Sequence, residues 1–242
     1  MSRIALSFHD VTKAYGDNKV LSGINLELNA GEYLGLVGVN GAGKTTLIKC
    51  LLDFTAVNSG SISIFGKDHG QTRSREELVY LPEKFIPPYY LSGNDFLEYT
   101  GELYGARYSK ETIVNTLKVL DMEYSALDKP VKQLSKGMSQ KLGLCACLLS
   151  DKELFVLDEP MSGLDPKARA YLKRRLLDLK NKGKTLFFST HMLSDVETLC
   201  DKVAILHNGR ILFIGSPQAC CKQFNTNSFE QAYLNCVGAE YH

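Results

Sequence analysis

The chain has 242 residues, of which 44% are hydrophobic and 23% are charged, and its formal net charge is +1. These values are close to those of ordinary globular domains, so we expect a buried core and exclude a chain that is disordered throughout. The balanced charge also argues against a surface built mainly to bind nucleic acid or anionic lipid, and no nucleic-acid partner is expected.

The N-terminal segment and the cysteines bear on the compartment. Charged and polar residues run through residues 1–14, so the sequence predicts no signal-peptide core. No apolar run reaches the roughly 18 residues of a membrane span. The seven cysteines match no zinc or disulfide spacing and are expected to be reduced thiols. We therefore expect a chain that is neither secreted nor membrane-spanning by itself.

The first third of the chain is predicted to form strands around one helix. Short apolar bursts between residues 4 and 26 indicate an antiparallel opening. An apolar strand at 33–37 leads into a glycine-rich loop and a helix at 44–52. Further short strands are predicted at 60–65 and 78–81.

The pattern becomes helical from residue 92 to about residue 150. Ser92, with Asp95 three residues later, predicts a capping box. Apolar residues then recur at the spacing of one helical face, namely Phe96, Tyr99 and Leu103. Two more helices are expected to begin after Ser109 and Ser135.

Strands and helices alternate again in the last third of the chain. The wholly apolar run at 154–157 is typical of a parallel strand that is covered on both faces. Asp165 and Pro166 have the residue types that begin a helix, and Gly183 is expected to end it. A strand at 185–189 follows, and Asn208-Gly209 predicts a hairpin between 203–207 and 210–214. A short helical tail is predicted from residue 216.

Together these elements predict an α/β fold in a single domain over residues 1–242. Its core is a parallel sheet formed by residues 1–84 and 151–215, with an N-terminal antiparallel β-subdomain. An α-helical subdomain is inserted at 85–150, and residues 216–242 form the tail.

The glycine-rich loop carries the first chemical signal. It follows the pattern Gly, four residues, Gly-Lys-Ser/Thr, and it lies between a predicted strand and a predicted helix. Amide groups of such a loop and the helix N-terminus bind phosphate, while the lysine reaches the β and γ phosphates and the threonine hydroxyl binds Mg²⁺. The sequence therefore predicts a P-loop NTPase core that binds a nucleotide through Gly38, Val39, Asn40, Gly41, Ala42, Gly43, Lys44, Thr45 and Thr46.

A pair of acids at the end of the apolar run 154–157 gives the second signal. Asp158 can hold magnesium through water, and Glu159 can orient or deprotonate an attacking water. An ordinary pair of acids that ends a strand remains the alternative when this segment is taken by itself.

Six short motifs in sequence order resemble the nucleotide-binding domain of ATP-binding cassette (ABC) transporters over nearly the whole chain. Residues 38–45 resemble Walker A and residues 154–159 resemble Walker B. Residues 134–138 resemble the signature motif LSGGQ, and residues 162–165 resemble the D-loop. Tyr15 matches the aromatic residue that stacks on adenine, and His191 matches the switch histidine.

The chain departs from the family pattern at three positions. Lys136 replaces a glycine and Met138 replaces a glutamine in the signature motif, while Ser135 and Gly137 are kept. Glu83 stands where the family has the glutamine of its Q-loop. This glutamate and the segment 91–105 resemble exporter-type subunits more than importers.

The resemblance implies a mechanism with ATP and Mg²⁺ in which two such domains meet head to tail. One domain supplies Thr45, Glu83 and Asp158 around the metal, with Glu159 and His191 as catalytic groups. The other domain supplies Ser135, Lys136 and Gly137 to the partner's ATP, and Asp165 belongs to the D-loop. For His191 the alternative is a solvated loop histidine.

The resemblance also implies integral-membrane permease subunits as partners, a second ATPase subunit that is identical or different, and a peripheral location on the cytoplasmic face of the inner membrane. We expect the permease to dock near 85–104, a segment rich in aromatic residues that are common in interface cores. The alternative for these aromatics is the core of the helical subdomain. Two rival functions are a soluble ABC ATPase that acts on ribosomes or DNA, and a regulatory ATP-binding module that does not hydrolyse ATP.

Overall fold

The computed structural model describes residues 3–238, and the statements below concern that range. Residues 1, 2 and 239–242, which belong to the predicted β-subdomain and helical tail, lie outside the described residues.

The chain opens with two long strands, β1 (Ile4–Tyr15) and β2 (Asn18–Asn29), which pair in antiparallel register. Then come β3 (Tyr33–Val37), α1 (Lys44–Leu51), β4 (Ser59–Ile64), β5 (Lys67–Asp68) and β6 (Leu78–Leu81). Strands β2, β1, β4 and β5 form a four-stranded sheet in that order. All of its pairings are antiparallel, which confirms the predicted antiparallel opening.

Three helices follow: α2 (Gly93–Tyr104), α3 (Lys110–Val119) and α4 (Lys136–Leu149). Each begins after a serine whose hydroxyl accepts a hydrogen bond from the third backbone amide of the helix, and Ser92 and Asp95 form the predicted capping box. The apolar stripe predicted for α2 is only partly inward. Phe96 is buried, whereas Tyr99 and Leu103 are exposed.

The remaining elements are β7 (Leu154–Asp158), α5 (Pro166–Asn181), β8 (Thr185–Thr190), α6 (Leu193–Leu199), β9 (Lys202–His207), β10 (Arg210–Gly215), α7 (Pro217–Gln223) and α8 (Phe229–Gly238). Asp165 caps α5 by accepting from the Ala168 amide, as predicted. Asn208 and Gly209 both have positive φ in the turn of the predicted hairpin. The predicted tail consists of two helices, and α6 was not predicted.

A six-stranded sheet with the order β10-β9-β3-β8-β7-β6 forms the centre of the molecule, and only β10 is antiparallel to its neighbour. Strands β3, β7 and β8 are buried along their whole length, as expected for a parallel sheet covered on both faces. The loops after β3, β7 and β8 therefore leave the sheet at the same edge. The register places Asp158 opposite Ser189 at this edge.

Two apolar cores cover the two faces of this sheet. One contains α1 and the antiparallel sheet, and the other contains the helices from α2 to α8. The helices of the predicted insertion thus share their core with the helices that follow β7. Within residues 3–238 the cysteines form no disulfide bond. Within residues 3–238 no helix is long and apolar enough to cross a bilayer.

Candidate nucleotide site

The glycine-rich loop joins β3 to α1 and curls tightly against β2 and the end of β9. A Cβ atom on Gly38 would lie 2.3 Å from the Leu206 carbonyl oxygen, so only glycine fits there without a backbone shift. Gly43 has φ +108°, a conformation that L side chains rarely adopt. The sequence therefore specifies both the close approach and the turn that brings the loop amides to the start of α1.

Lys44 extends from the first turn of α1 back under the loop. Its Nζ donates to the carbonyl oxygens of Gly38 at 2.7 Å and Val39 at 3.3 Å. The same Nζ lies 3.7 Å from Glu159 Oε1. The cation is thus placed between the phosphate loop and the acid at the end of β7.

Asp158, the last residue of β7, is buried against Ser189 of β8, whose Oγ donates to Asp158 Oδ1. Burial raises the pKa of Asp158, and the nearby charges of Glu83 and Glu159 raise it further, while hydrogen bonds from Ser189 and Thr45 oppose the shift. Asp158 Oδ2 is buried and accepts no hydrogen bond from the described part of the chain. A ligand that brings positive charge to this oxygen would relieve that cost.

Glu159 follows with φ +49°, in the left-handed region that costs a non-glycine residue energy and that is common at functional sites. Its amide donates to the Ser189 carbonyl oxygen at 3.3 Å and to Ser189 Oγ at 3.0 Å, which stabilises this backbone turn. Glu159 Oε2 lies 2.9 Å from Nδ1 of His191, whose side chain is 58% exposed.

Lys44, Glu159 and His191 line a cavity of about 300 Å³, whereas Asp158 is not among its described lining residues. The described residues that line it are Val20, Asn40, Gly41, Gly43, Lys44, Thr45, Thr46, Glu83, Glu159, Ser162 and His191. The structure therefore brings together most residues of the predicted phosphate, metal and catalytic sets. Val20 was missed, since nothing in its local sequence indicates that β2 packs against the loop.

Tyr15 is not among the described residues that line this cavity. It ends β1 with a half-exposed ring, and Lys13 Nζ lies 4.8 Å above the ring centroid. Its contact with adenine stays a prediction.

The signature residues lie apart from the cavity of the same chain. Ser135 and Lys136 are exposed at the start of α4, where Ser135 Oγ accepts from the Met138 amide at 3.2 Å. A Cβ atom on Gly137 would lie 3.0 Å from the Gly163 carbonyl oxygen, so this glycine allows α4 to approach the D-loop. Asp165 Oδ2 accepts from Lys141 Nζ of α4 at 3.2 Å. The capping bond from Ala168 and the contact with Lys141 lower the pKa of Asp165.

The oxygen donors in the cavity are of the type that Mg²⁺ prefers. Thr45 and Glu83 line the cavity, and Asp158 Oδ2 has no hydrogen-bond partner within residues 3–238. Residues 3–238 contain no cluster of three or more His, Cys, Asp or Glu that could hold a metal alone. The donor set fits a cation that takes its other ligands from phosphate and water.

The aromatic segment after Glu83 divides into core and surface. Phe85 and Phe96 meet edge to face with ring centroids 5.5 Å apart, and Phe96 is buried. Several neighbours remain exposed, with 86% of Ile86 and 74% of Tyr90 accessible. The exposed apolar surface comprises Ile86, Tyr89, Tyr90, Tyr99 and Leu103. Core and surface roles are therefore both present in the segment 85–104.

Comparison with known proteins places the chain in a family. The family described as ABC transporter matches residues 21–162. An ABC transporter ATP-binding protein of Synechocystis sp., named as uncharacterized, is 39% identical over 199 residues, which cover 81% of this chain and 56% of the relative. A second ABC transporter ATP-binding protein, from Nostoc sp., is 40% identical over 199 residues, which cover 59% of its length. The chain thus spans less than two thirds of each of these two relatives.

Two other matches cover a larger share of the related protein. The Nod factor export ATP-binding protein I of Rhizobium sp. is 36% identical over 230 residues, which cover 92% of this chain and 74% of the relative. A solved ATP-binding subunit of an ABC transporter superposes with a TM-score of 0.87 at 31% identity, covering 96% of this chain and 99% of that one. The chain therefore belongs to the ABC transporter family, as one of its ATP-binding subunits.

Proposed function

We propose that this chain binds and hydrolyses ATP to power a membrane ABC transporter that works as an exporter. One observation carries the enzymatic part: Glu159 lies beside the phosphate loop with His191 on one carboxylate oxygen and Lys44 near the other. The names of the Rhizobium relatives, which are Nod factor export proteins, support the direction of transport.

The phosphate loop and Lys44 are proposed to bind the nucleotide phosphates. Lys44 Nζ now bonds to two loop carbonyls, and a γ-phosphate would offer it a stronger, charged acceptor in the same cavity. The loop amides from Gly38 to Gly43, followed by those of Lys44, Thr45 and Thr46, would bind the other phosphate oxygens. Tyr15 is kept as the residue that contacts adenine.

Glu159 is proposed to take the proton of the attacking water or to orient that water. Its carboxylate lies between Lys44 and His191 at the cavity, which is the place that a base acting on the attacking water would need. Nδ1 of His191 contacts Glu159, so a bond from the same ring to a phosphate oxygen would have to come from Nε2–H as the donor. Catalysis of phosphoryl transfer consists mostly of such positioning and charge stabilisation.

Mg²⁺ is proposed to be held by Thr45, Asp158 and Glu83. When bound, it would neutralise charge on the phosphates during transfer. The chain contributes the orientation of Asp158, which Ser189 anchors, and a buried carboxylate oxygen that has no hydrogen-bond donor among residues 3–238.

Two copies of the chain, or this chain and a related subunit, are proposed to close around ATP. Ser135, Lys136 and Gly137 lie outside their own cavity and are exposed or partly exposed, so they are available to the nucleotide of a second subunit. Asp165 at the start of α5 would lie at the same interface. The closed dimer would open after hydrolysis removes the γ-phosphate contact.

Dimer formation can be tested with Glu159→Gln, which preserves ATP during the measurement. Sedimentation of this variant should show dimer with Mg²⁺ and ATP and monomer with Mg²⁺ and ADP. Adding Ser135→Arg should abolish the dimer but keep ATP binding. Ser109→Arg, which changes an exposed capping serine of α3, is the matched control and should still dimerise. Equal loss of dimer in both double variants would refute the role of Ser135.

The permease is proposed to dock on the exposed apolar surface within 85–104, which places the chain on the cytoplasmic face of the inner membrane. The insertion 85–150 would move against the core formed by 1–84 and 151–215, with residues 216–242 as the tail. Tyr90→Ala should weaken co-purification with the membrane subunit, whereas Tyr171→Ala, a second exposed tyrosine, should not. Equal recovery of both variants would place the docking site elsewhere.

A further inference from the structure

Helix α5 carries two cationic side chains, one turn apart, toward the loops that hold Glu159 and His191. Arg169 Nη1 donates to Met192 Sδ at 2.9 Å, and Arg169 Nη2 donates to the Met161 carbonyl oxygen at 3.5 Å. Met161 lies two residues after Glu159, and Met192 directly follows His191. One guanidinium thus touches both loops.

The second cation continues this connection. Lys173 Nζ lies 2.6 Å from Asp195 Oδ1, and the Asp195 side chain is fully buried at the start of α6, four residues after His191. A buried ion pair is costly to break because it leaves an uncompensated charge, so α6 and the histidine loop are tied firmly to α5. Arg169 and Lys173 are four residues apart and therefore share one face of α5.

We propose that Arg169 is a positioning residue for ATP hydrolysis, which keeps Glu159 and His191 at hydrogen-bonding distance by bridging their two loops. The inference rests on the proposed hydrolysis of ATP. Arginine suits this place because its planar fork presents several donors in fixed directions, whereas lysine offers a single point charge. The contact between Glu159 and His191, 2.9 Å long, joins side chains of two different loops, and Arg169 contacts both of these loops.

The test compares Arg169→Met with the wild type in steady-state phosphate release. Displacing a catalytic group by about 1 Å can cost on the order of 100-fold, so we expect kcat to fall about 10- to 100-fold. The KM for ATP should change by less than about threefold, because Arg169 does not line the nucleotide cavity. Arg169→Lys should recover little of the loss. Arg174→Met, an exposed arginine of the same helix, is the matched control and should retain wild-type kcat.

A double variant separates positioning from general support of the fold. If Arg169 acts through the contact of His191 with Glu159, then Arg169→Met added to His191→Ala should lower kcat little beyond His191→Ala alone. Multiplicative losses would overturn the proposal, and so would wild-type kcat in Arg169→Met or full recovery by Arg169→Lys.

Two further outcomes are distinguishable. If Arg169→Met does not fold, Met192→Leu replaces it as the test, because it keeps the side-chain size and removes the sulfur acceptor. This variant should have a lower kcat and an unchanged KM for ATP. A wild-type kcat in Met192→Leu would overturn the proposal. If the wild-type chain itself releases no phosphate in complex with its permease, the proposed function fails, and with it the reaction that Arg169 would serve.

Discussion

Ser189 is the residue whose removal tests the geometry of the site most specifically. Its hydroxyl donates to the buried Asp158 carboxylate and accepts from the Glu159 amide at 3.0 Å. Ser189→Ala deletes both bonds while leaving β8 and its apolar neighbours in place. The hydrogen bond to a charged acceptor contributes roughly 1.5–3 kcal/mol and the amide bond roughly 0.5–1.5 kcal/mol.

The expected loss is therefore about 2–4 kcal/mol in the free energy of unfolding. For a chain of this size each kcal/mol lowers the melting temperature by roughly 2–4 °C, so the variant should melt roughly 5–15 °C below the wild type. The matched control is Ser150→Ala. Ser150 is also buried, but its hydroxyl has only neutral partners: it donates to the Cys147 carbonyl at 2.7 Å and accepts from the Lys152 amide at 3.4 Å, so about 1 kcal/mol should be lost.

The stability that Ser189 contributes should depend on pH, because one of its partners is an ionisable carboxyl. The bond from Ser189 favours ionised Asp158, while burial raises the pKa of this carboxyl above its ordinary value of 3.8. The stability that Ser189 contributes through Asp158 is therefore present at neutral pH and lost as the pH falls through the folded-state pKa. Calorimetry should show that the difference in melting temperature between the wild type and Ser189→Ala becomes smaller in acid. Two results would refute this reasoning. One is that Ser189→Ala melts at the same temperature as Ser150→Ala at neutral pH. The other is that the difference in melting temperature between the wild type and Ser189→Ala grows in acid.

Two further predictions concern the acids around the metal position. Glu83→Gln should remain active but need about three- to tenfold more Mg²⁺ for half-maximal phosphate release, because it removes one negative charge from the cavity; an unchanged Mg²⁺ titration would argue against a direct role. Asp158→Asn, without nucleotide or metal, should raise the melting temperature at neutral pH. The pKa of Asp158 is raised in the folded protein, so its ionised carboxylate costs stability once the pH exceeds that folded-state pKa. The gain should vanish below pH 3.8, and Mg²⁺ with ATP should stabilise this variant less than the wild type.

Much of the fold follows from local sequence. The caps at Ser92, Ser109 and Ser135 involve residues three positions apart, so the pattern alone indicates where α2, α3 and α4 begin. The glycine-rich loop is equally local, because its turn and its close approach to β9 both require glycine. The apolar run before Asp158 predicted a parallel strand covered on both faces, and β7 is such a strand: it is buried along its length and pairs in parallel with β6 and β8.

The parts that escaped prediction depend on pairings between distant segments. Ser189 meets Asp158 across 31 residues through the register of β7 and β8, and Arg169 meets Met192 only once α5 packs against α6. Val20 joins the cavity because β2 folds over the loop. For such residues the type of side chain can be read from the sequence, but the residue that it contacts in the fold cannot.

The most direct test of the whole account is steady-state phosphate release by the wild-type chain and by Glu159→Gln, each with Mg²⁺ and ATP. The substitution keeps the shape of the side chain that contacts His191 and removes the carboxylate that would act on water. We expect the wild type to release phosphate, and Glu159→Gln to bind ATP normally while its turnover falls at least about tenfold. Turnover near the wild-type value in Glu159→Gln would contradict the assignment of Glu159 as the group that acts on the attacking water.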